Sequence, residues 1–353
     1  MNLDDWRSRI NNLDDQILHL LNQRAEAALK IGDLKRRHDL PYYVPAREAE
    51  IVARLSKGNP GPLPAETVRA VWREILSGCR ALEHPLTVGY LGPPGTFTHQ
   101  AALKQFGAAS QLVPARAIVD VFDEVERGVV EYGVVPVENS TEGAVNVTLD
   151  RLIESDALIC GELSLAVSQH LLSNAPDLDG IKRVASHPQG IAQCRRWLAE
   201  HLPDAPTEEA RSTAAAAEMA ASDVSVAAIA SELAAELYAV PILRRRIEDN
   251  PHNFTRFLVI GRHPTSPTGQ DKTSILFAMR NEPGSLYRIL EPLARAGINL
   301  TKIESRPAKR RPWEYVMFVD FEGHRDTPAV TSALAELEER TLFLRILGSY
   351  PAA

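Results

Sequence analysis

The chain has 353 residues, 44% hydrophobic and 24% charged, with a net charge of −7. That length accommodates two or three domains with separate cores, and the acidic balance argues against nucleic acid or an anionic membrane as partner. No stretch reaches the ~18 apolar residues of a membrane span, and MNLDDWRSRI lacks a signal-type apolar run, so a cytoplasmic protein is expected, with Cys79, Cys160 and Cys194 as scattered, buried free thiols rather than metal ligands.

Residues 3–83 are helical in character. Leu3, Trp6, Ile10, Leu13, Ile17, Leu20, Leu21, Ala28, Ile31 and Leu34 recur at steps of mostly three and four, predicting a helix from about Leu3 to His38. Such a rod is roughly 50 Å long. One small domain cannot cover it, so a helix from a second subunit is expected. At about 100° per residue, Arg24 falls on the stripe of Leu13, Ile17 and Ile31, and Lys35 lies on the same line. A second helix starts at Pro45, a suitable first-turn proline, and ends before KGNPGPLP. Its stripe is Ile51, Val52 and Leu55, and Glu48 extends it. A third runs from Ala65 to about Glu83 through Val68, Val71, Trp72, Ile75, Leu76, Cys79 and Leu82, with Glu83 continuing the line. A lone buried charge is costly. Four charges on apolar faces predict an internal polar pocket, and Arg with Lys suits a small dianion. Arg7 stands roughly 25 Å from Arg24 along the axis, so it would serve a partner chain's pocket.

Residues 86–263 alternate strand-like segments (LTVGYLG, YGVVPV, RVAS, VAAIA, FTRFLVIG) with helix-like ones (AALKQFG, AIVDVFDEVERG, GIAQCRRWLAEH, TAAAAEMAA). This predicts an α/β domain with mainly parallel sheets. HPTSPTGQDK reads as a linker. Then TSILFAMR, GSLYRILEPLARAG, INLTKIESRP, WEYVMFVDFEG, AVTSALAELEER and LFLRILGSYP follow the β-α-β-β-α-β order of an α+β ferredoxin-like unit. The expected domains are therefore 1–84, 86–263 and 272–353.

In the middle domain, polar clusters follow strands: GPPGTFTH with Thr96, ENSTEG with Glu138, Asn139 and Ser140, SHPQG with Ser186, His187 and Gln189, and RST with Thr213. Each could be a helix cap. Together they predict one anion-binding cleft beyond the carboxyl ends of strands. In HNFTRFLVI, Thr255 shares a strand face with Phe257 and Val259, while Arg256 points the other way. A Thr–Arg pair inside an apolar strand is seldom chosen for packing, so both are candidate ligands.

These residues resemble a known family. The helical region is similar to the all-helical chorismate mutases, and the whole chain resembles the bifunctional chorismate mutase–prephenate dehydratases. Arg7, Arg24, Lys35, Arg47 and Glu48 match the mutase spacing. Val44 stands where an acid is common, and Cys79 and Glu83 stand where Ser and Gln are common. The resemblance implies a pericyclic rearrangement of chorismate to prephenate, without metal or cofactor. Arg7 from the partner, Arg24 and Arg47 would hold carboxylates. Lys35 and a protonated Glu83 would address the ether oxygen, with Cys79 beside them, and Glu48 the ring hydroxyl.

GPPGTFTHQAA, VPVENSTEGAV, SHPQGIAQC, STAAAA and TRF match the prephenate dehydratase signatures end to end. They imply two α/β subdomains like those of periplasmic binding proteins, and conversion of prephenate to phenylpyruvate, carbon dioxide and water. Thr255 would be the essential residue, an oriented donor to the departing hydroxyl, and His187 either a general acid or a helix cap. The last region resembles a phenylalanine-binding ACT domain, with GSLY for the common GALV and ESRP intact. It implies that L-phenylalanine binds at a dimer interface around Asn281, Gly284, Ser285, Leu286, Glu304, Ser305, Arg306 and Pro307 and inhibits the dehydratase. A ligand sensor built from the same modules competes with this reading, as does a dehydratase with a lapsed mutase; intact Thr255 and the mutase spacing speak against the sensor.

Overall fold

The computed structural model describes residues 2–38, 40–307 and 315–353. It forms two compact units: residues through Thr87 with Gln105–Gln111, and Val88–Lys104 with Leu112–Ala353.

The first unit holds α1 (Leu3–Arg37), α2 (Pro45–Lys57) and α3 (Ala65–Glu83). Asn2 caps α1: its Oδ1 accepts from the Asp5 amide at 2.9 Å, and its own amide donates to Asp5 at 2.7 Å. Lys35, Arg36 and Arg37 oppose the dipole at the other end. The buried residues of α1 are Ala28 and Gly32. Gly32 permits close approach to α3, since a Cβ there would stand 3.0 Å from the Glu83 Cβ. The expected stripe of Leu3, Trp6, Ile10, Leu13 and Ile17 is about half exposed, with Leu3 at 64%.

From Thr87 onward, alternating elements build two sheets. The first contains β1 (Thr87–Leu91), β2 (Gln111–Ala115), β3 (Tyr132–Asn139), β4 (Gly143–Ala144), β5 (Leu158–Ala166) and, much later in the chain, β11 (Phe254–Gly261). Its order is β2-β1-β3-β11-β5, with β4 paired to β3. The helices are α4 (Phe97–Phe106), α5 (Ile118–Glu126) and α6 (Asn146–Glu154). The second sheet holds β6 (His170–Leu172), β7 (Arg183–Ser186), β8 (Thr207–Glu209), β9 (Val226–Ala230) and β10 (Ile242–Arg244), in the order β10-β6-β9-β7-β8. Its helices are α7 (Pro188–Gln193), α8 (Arg195–His201), α9 (Thr213–Ser222) and α10 (Glu232–Leu237). The chain crosses to the second lobe after β5 and returns for β11, the two-lobed periplasmic-binding-like arrangement expected.

Two details of the expectation are corrected. The sheets are mixed rather than mainly parallel: β11 runs antiparallel to both β3 and β5, and β6 antiparallel to β9, because the chain reverses direction at each crossing. The helix expected over GIAQCRRWLAEH breaks at Cys194 into α7 and α8. Asp249 from the returning segment causes the break. Its carboxylate accepts from the amides of Arg196 (2.9 Å) and Trp197 (3.2 Å), capping a fresh helix start.

The last region comprises β12 (Asp271–Ala278), α11 (Ser285–Arg295), β13 (Leu300–Pro307), β14 (Tyr315–Glu322), α12 (Pro328–Arg340) and β15 (Phe343–Pro351). Its sheet order, β13-β14-β12-β15, is ferredoxin-like; Trp313 and Glu314, expected to begin β14, lie outside the described residues. Residues alternate between two cores. Ile275, Phe277, Val319 and Phe321 pack on α11 and α12 with Ile289 and Leu337. Leu276, Phe318, Leu347 and Tyr350 face the first sheet and share a core with Val135, Ile159 and Leu258. Gly348 lies against the Ile159 backbone, where any Cβ would collide. The linker therefore does not separate two bodies. The dehydratase-like and ferredoxin-like regions form one compact unit because their sheets bury each other's faces.

Candidate functional site

In the first unit, the structure brings Lys35 and Glu83 together. Lys35 Nζ lies 2.9 Å from Glu83 Oε2 and also donates to the Tyr42 carbonyl at 2.9 Å. Glu83 is thus an acceptor here, whereas a donor was expected. Arg24 stands over the Trp72 ring, 5.8 Å from its centroid, and Cys79 is buried on α3. Glu48 accepts from Arg80, a residue sequence reasoning passed over. Arg80 is 5% exposed, donates to the Phe106 carbonyl at 2.6 Å and sits over Tyr43. Arg7 and Arg47 are exposed, and each pairs along its own helix, with Asp4 at 3.3 Å and Glu50 at 2.6 Å.

Between the first two sheets lies a cavity of 380 Å³. Asn139 ends β3, Thr255 and Phe257 sit on β11, and Thr96 follows β1. From the second lobe come His187 and Gln189 at the start of α7 and Thr213 at the start of α9. All of these line the cavity, as a cleft beyond the strand ends requires. Asn139 Nδ2 lies 2.9 Å from Thr255 Oγ1 and 2.9 Å from Asn253 Oδ1. Its Oδ1 accepts from the amides of Thr141 (3.0 Å) and Glu142 (3.2 Å). His187 caps α7, its Nδ1 accepting from the Gln189 amide at 3.3 Å. Thr96 Oγ1 donates to the Leu91 carbonyl at 2.9 Å.

Four expected residues do not reach this cavity. Strand alternation turns Glu138 and Arg256, paired partners across β3 and β11, to the opposite face. There Glu138 meets Lys302 of β13 at 2.6 Å. Arg256 binds Glu162 (2.6 Å) and Asp320 (2.6 Å) and reaches the Tyr350 hydroxyl at 3.2 Å; Lys272 also binds Glu162, at 2.6 Å. Burial opposes the charge of Arg256, but Asp320, Tyr350 and Glu162 outweigh it and raise its pKa. Burial likewise pulls Glu162 upward, yet Arg256 and Lys272 hold it below the usual carboxylate range. Ser186 is fully buried and donates to the Ile229 carbonyl at 2.7 Å. Ser140 braces the entry to β11, accepting from the Phe254 amide at 2.9 Å.

In the last region, a 570 Å³ cavity is lined by Arg280, Glu282, Ser285, Arg288, Glu291 and Arg340 among others. Ser285 opens α11 after Gly284, whose φ of 77° suits glycine; Asn281 and Leu286 flank them. Glu304, Ser305, Arg306 and Pro307 lie apart on the edge strand β13. Arg306 there donates to Asn146 (2.7 Å) and Asp150 (2.8 Å) of α6. Of the expected phenylalanine-site residues, Ser285 lines this cavity, whereas Glu304, Ser305, Arg306 and Pro307 lie outside its lining.

Three family models match in order: chorismate mutase type II over residues 6–84, prephenate dehydratase over 88–265 and ACT domain over 273–339. A bifunctional chorismate mutase/prephenate dehydratase of Aquifex aeolicus is 49% identical, covering 99% of this chain and 98% of the relative. The chain belongs to the bifunctional chorismate mutase/prephenate dehydratase family. Among solved structures, the prephenate dehydratase of Arthrobacter aurescens in complex with L-Phe aligns with a TM-score of 0.70 and 36% identity, covering 76% of this chain and 90% of that one. A protein described as a novel type of quorum quenching acylase aligns with a TM-score of 0.69 and 33% identity, covering 76% of this chain and 98% of that one.

Sequence reasoning missed several residues of the cavity between the first two sheets. Arg116 and Arg211 line it, and neither forms an ion pair among the described residues. Glu142 crosses between lobes to accept from Gln189 and, at 3.0 Å, from Gln193. Gln169 donates to Gln193 at 3.0 Å and leaves its own Oε1 buried without a partner among the described residues. Arg211 carried a signal, as the first residue of the RST cluster. Glu142 likewise lay within the ENSTEG cluster, whereas Arg116 and Gln169 come from segments with no local signature, and only the folded chain converges them.

Proposed function

We propose that the chain converts chorismate to prephenate in its helical unit and prephenate to phenylpyruvate in the dehydratase cavity, with L-phenylalanine as feedback inhibitor. The observation that carries the second activity is the state of the Thr255 hydroxyl. Two backbone amides hold Asn139 Oδ1, so the Asn139 NH₂ must face Thr255. The Thr255 oxygen is then an acceptor, and its own proton has no acceptor among the described residues while the side chain lines the cavity.

The chemistry needs such a donor. Prephenate is a dianion. The bond between its ring carbon and ring carboxylate breaks, the electron pair enters the ring, and hydroxide departs from the opposite carbon, becoming water with one proton drawn from solvent. Aromatisation supplies most of the driving force. Thr255 donates a hydrogen bond to the departing oxygen, stabilising charge as it develops. Because His187 Nδ1 accepts from a backbone amide, its neutral form carries the proton on Nε2, a second donor from the other lobe. Arg116 and Arg211 suit the side-chain carboxylate that is retained. The ring carboxylate, which must lose charge, is better served by the apolar wall of Phe257, Val145 and Val167.

In the mutase reaction no proton moves. The enzyme selects a compact conformer and stabilises charge on the breaking ether oxygen. Lys35, and Arg24 beside Trp72, supply that electrostatic wall, and Glu83 positions Lys35 through their 2.9 Å contact. Arg7 serves the partner's pocket in a homodimer, which would also cover the exposed stripe of α1. A cytoplasmic location agrees with three buried free thiols and with the absence, among the described residues, of a helix long and apolar enough to cross a membrane.

Chorismate consumption and phenylpyruvate formation by the purified protein, with and without phenylalanine, test the proposal. Absence of both turnovers would overturn it. Thr255→Ala is expected to lose about 10²–10³ in dehydratase kcat; a variant with full rate would remove Thr255 from its role.

A further inference from the structure

We infer that Asn253, two residues before Thr255 and outside the cavity lining, is a positioning residue that sets the direction of the Thr255 proton. The inference rests on the dehydratase reading of the cavity. Asn253 is 2% exposed. Its Oδ1 takes one hydrogen of the Asn139 NH₂ at 2.9 Å, and Thr255 Oγ1 takes the other at 2.9 Å.

The geometry leaves one consistent set of donors. Asn139 cannot flip, because its oxygen answers the amides of Thr141 and Glu142 and the Thr141 hydroxyl. Asn253 cannot flip either, because its NH₂ would then oppose the NH₂ of Asn139. In the arrangement that remains, Asn253 Nδ2 is buried with no partner among the described residues. An unsatisfied buried donor is a standing cost that native structures seldom carry. Here it is the consequence of needing the amide oxygen on the other side. With both Asn139 hydrogens committed, one lone pair of Thr255 is pinned and its O–H is left to the cavity. Without the Asn253 acceptor, the Asn139 amide is free to twist away from Thr255. The Thr255 hydroxyl then loses its pinned lone pair, and its proton is no longer confined to the cavity direction. Asn253 thus acts through Asn139 on the donor, without touching substrate.

The test compares dehydratase kinetics of the full-length protein carrying Asn253→Leu, Asn253→Asp, Thr255→Ala and the Asn253→Leu/Thr255→Ala pair. Leucine keeps the branched shape and removes the acceptor; aspartate keeps the acceptor. Asn253→Leu is expected to lower kcat about tenfold or more with KM for prephenate little changed, and Asn253→Asp to stay within about threefold of wild type. Mutase turnover measured in parallel should be unchanged in all four. On the Thr255→Ala background, Asn253→Leu should cost nothing further, because its target is gone. A purely structural role would lower the rate again on that background and would not be rescued by aspartate. Equal losses for leucine and aspartate, or additive losses in the pair, would overturn the inference. Should Asn253→Leu fail to fold, the aspartate variant decides: a tenfold loss of kcat with intact mutase turnover contradicts it. An unimpaired Thr255→Ala would instead reject the reading of the cavity itself.

Discussion

Replacing Arg256 with methionine separates a structural role from a catalytic one. Arg256 lies between Glu162, whose side chain is 3% exposed, and Asp320, on the face of β11 opposite Thr255. Removing one member of a buried ion pair costs about 3–5 kcal/mol, because the partner's charge stays buried. Here the loss falls at the lower end, near 3 kcal/mol. Glu162 keeps Lys272 at 2.6 Å and Asp320 keeps the Ser274 hydroxyl at 2.6 Å, and methionine preserves the packing of the aliphatic stem. For a unit of this size, each kcal/mol moves the melting midpoint by about 2–4 °C, so the calorimetric transition of the dehydratase–ACT unit should fall by roughly 6–12 °C. Adding Glu162→Gln and Asp320→Asn should recover much of that, since no stranded carboxylates remain. KM for prephenate at a temperature well below the transition should change little. A melting midpoint within about 2 °C of wild type, coupled with a raised KM, would refute the reasoning and return Arg256 to the substrate.

Glu162 also predicts an acid limit. Its pKa is held below the ordinary value by Arg256 and Lys272, so its stabilisation is present above about pH 4.3 and is lost as pH falls through the lower folded value. Acid titration of wild type against Glu162→Gln should show the extra loss below about pH 4 in wild type only. Lys302→Met removes the pair that joins β13 to Glu138, the neighbour of Asn139; the phenylalanine concentration for half-inhibition of the dehydratase should rise about fivefold, and an unchanged inhibition curve would exclude this contact from the coupling. Arg24→Ala should abolish chorismate turnover while leaving dehydratase activity near wild type; retention of mutase turnover would dismiss the pocket assignment.

Local patterns were legible wherever period and chemistry act over a few residues. The steps of three and four placed α1 and α3 within a residue of their ends, and Pro45 and Gly58 bounded α2, because apolar periodicity and turn residues are local features. The two-residue period of β11 put Thr255 with Phe257 and turned Arg256 away. That period does not say what lies on each face. The charges of Glu138 and Arg256 read as ligands in the chain alone, and only the packed ACT sheet, bringing Lys302 and Asp320, makes them an interdomain clasp. Arg80 was invisible for the same reason: its carbonyl and carboxylate partners, Phe106 and Glu48, come from distant segments.

By itself the sequence determined the three modules, their order and the strand-end clusters, since each depends on spacing within one segment. Tertiary structure decided which polar residues converge. Asn253, Asn139 and Thr255 share one hydrogen-bond set because β3 and β11 pair antiparallel in a particular register. Registers of strands more than a hundred residues apart are settled by the burial of whole faces.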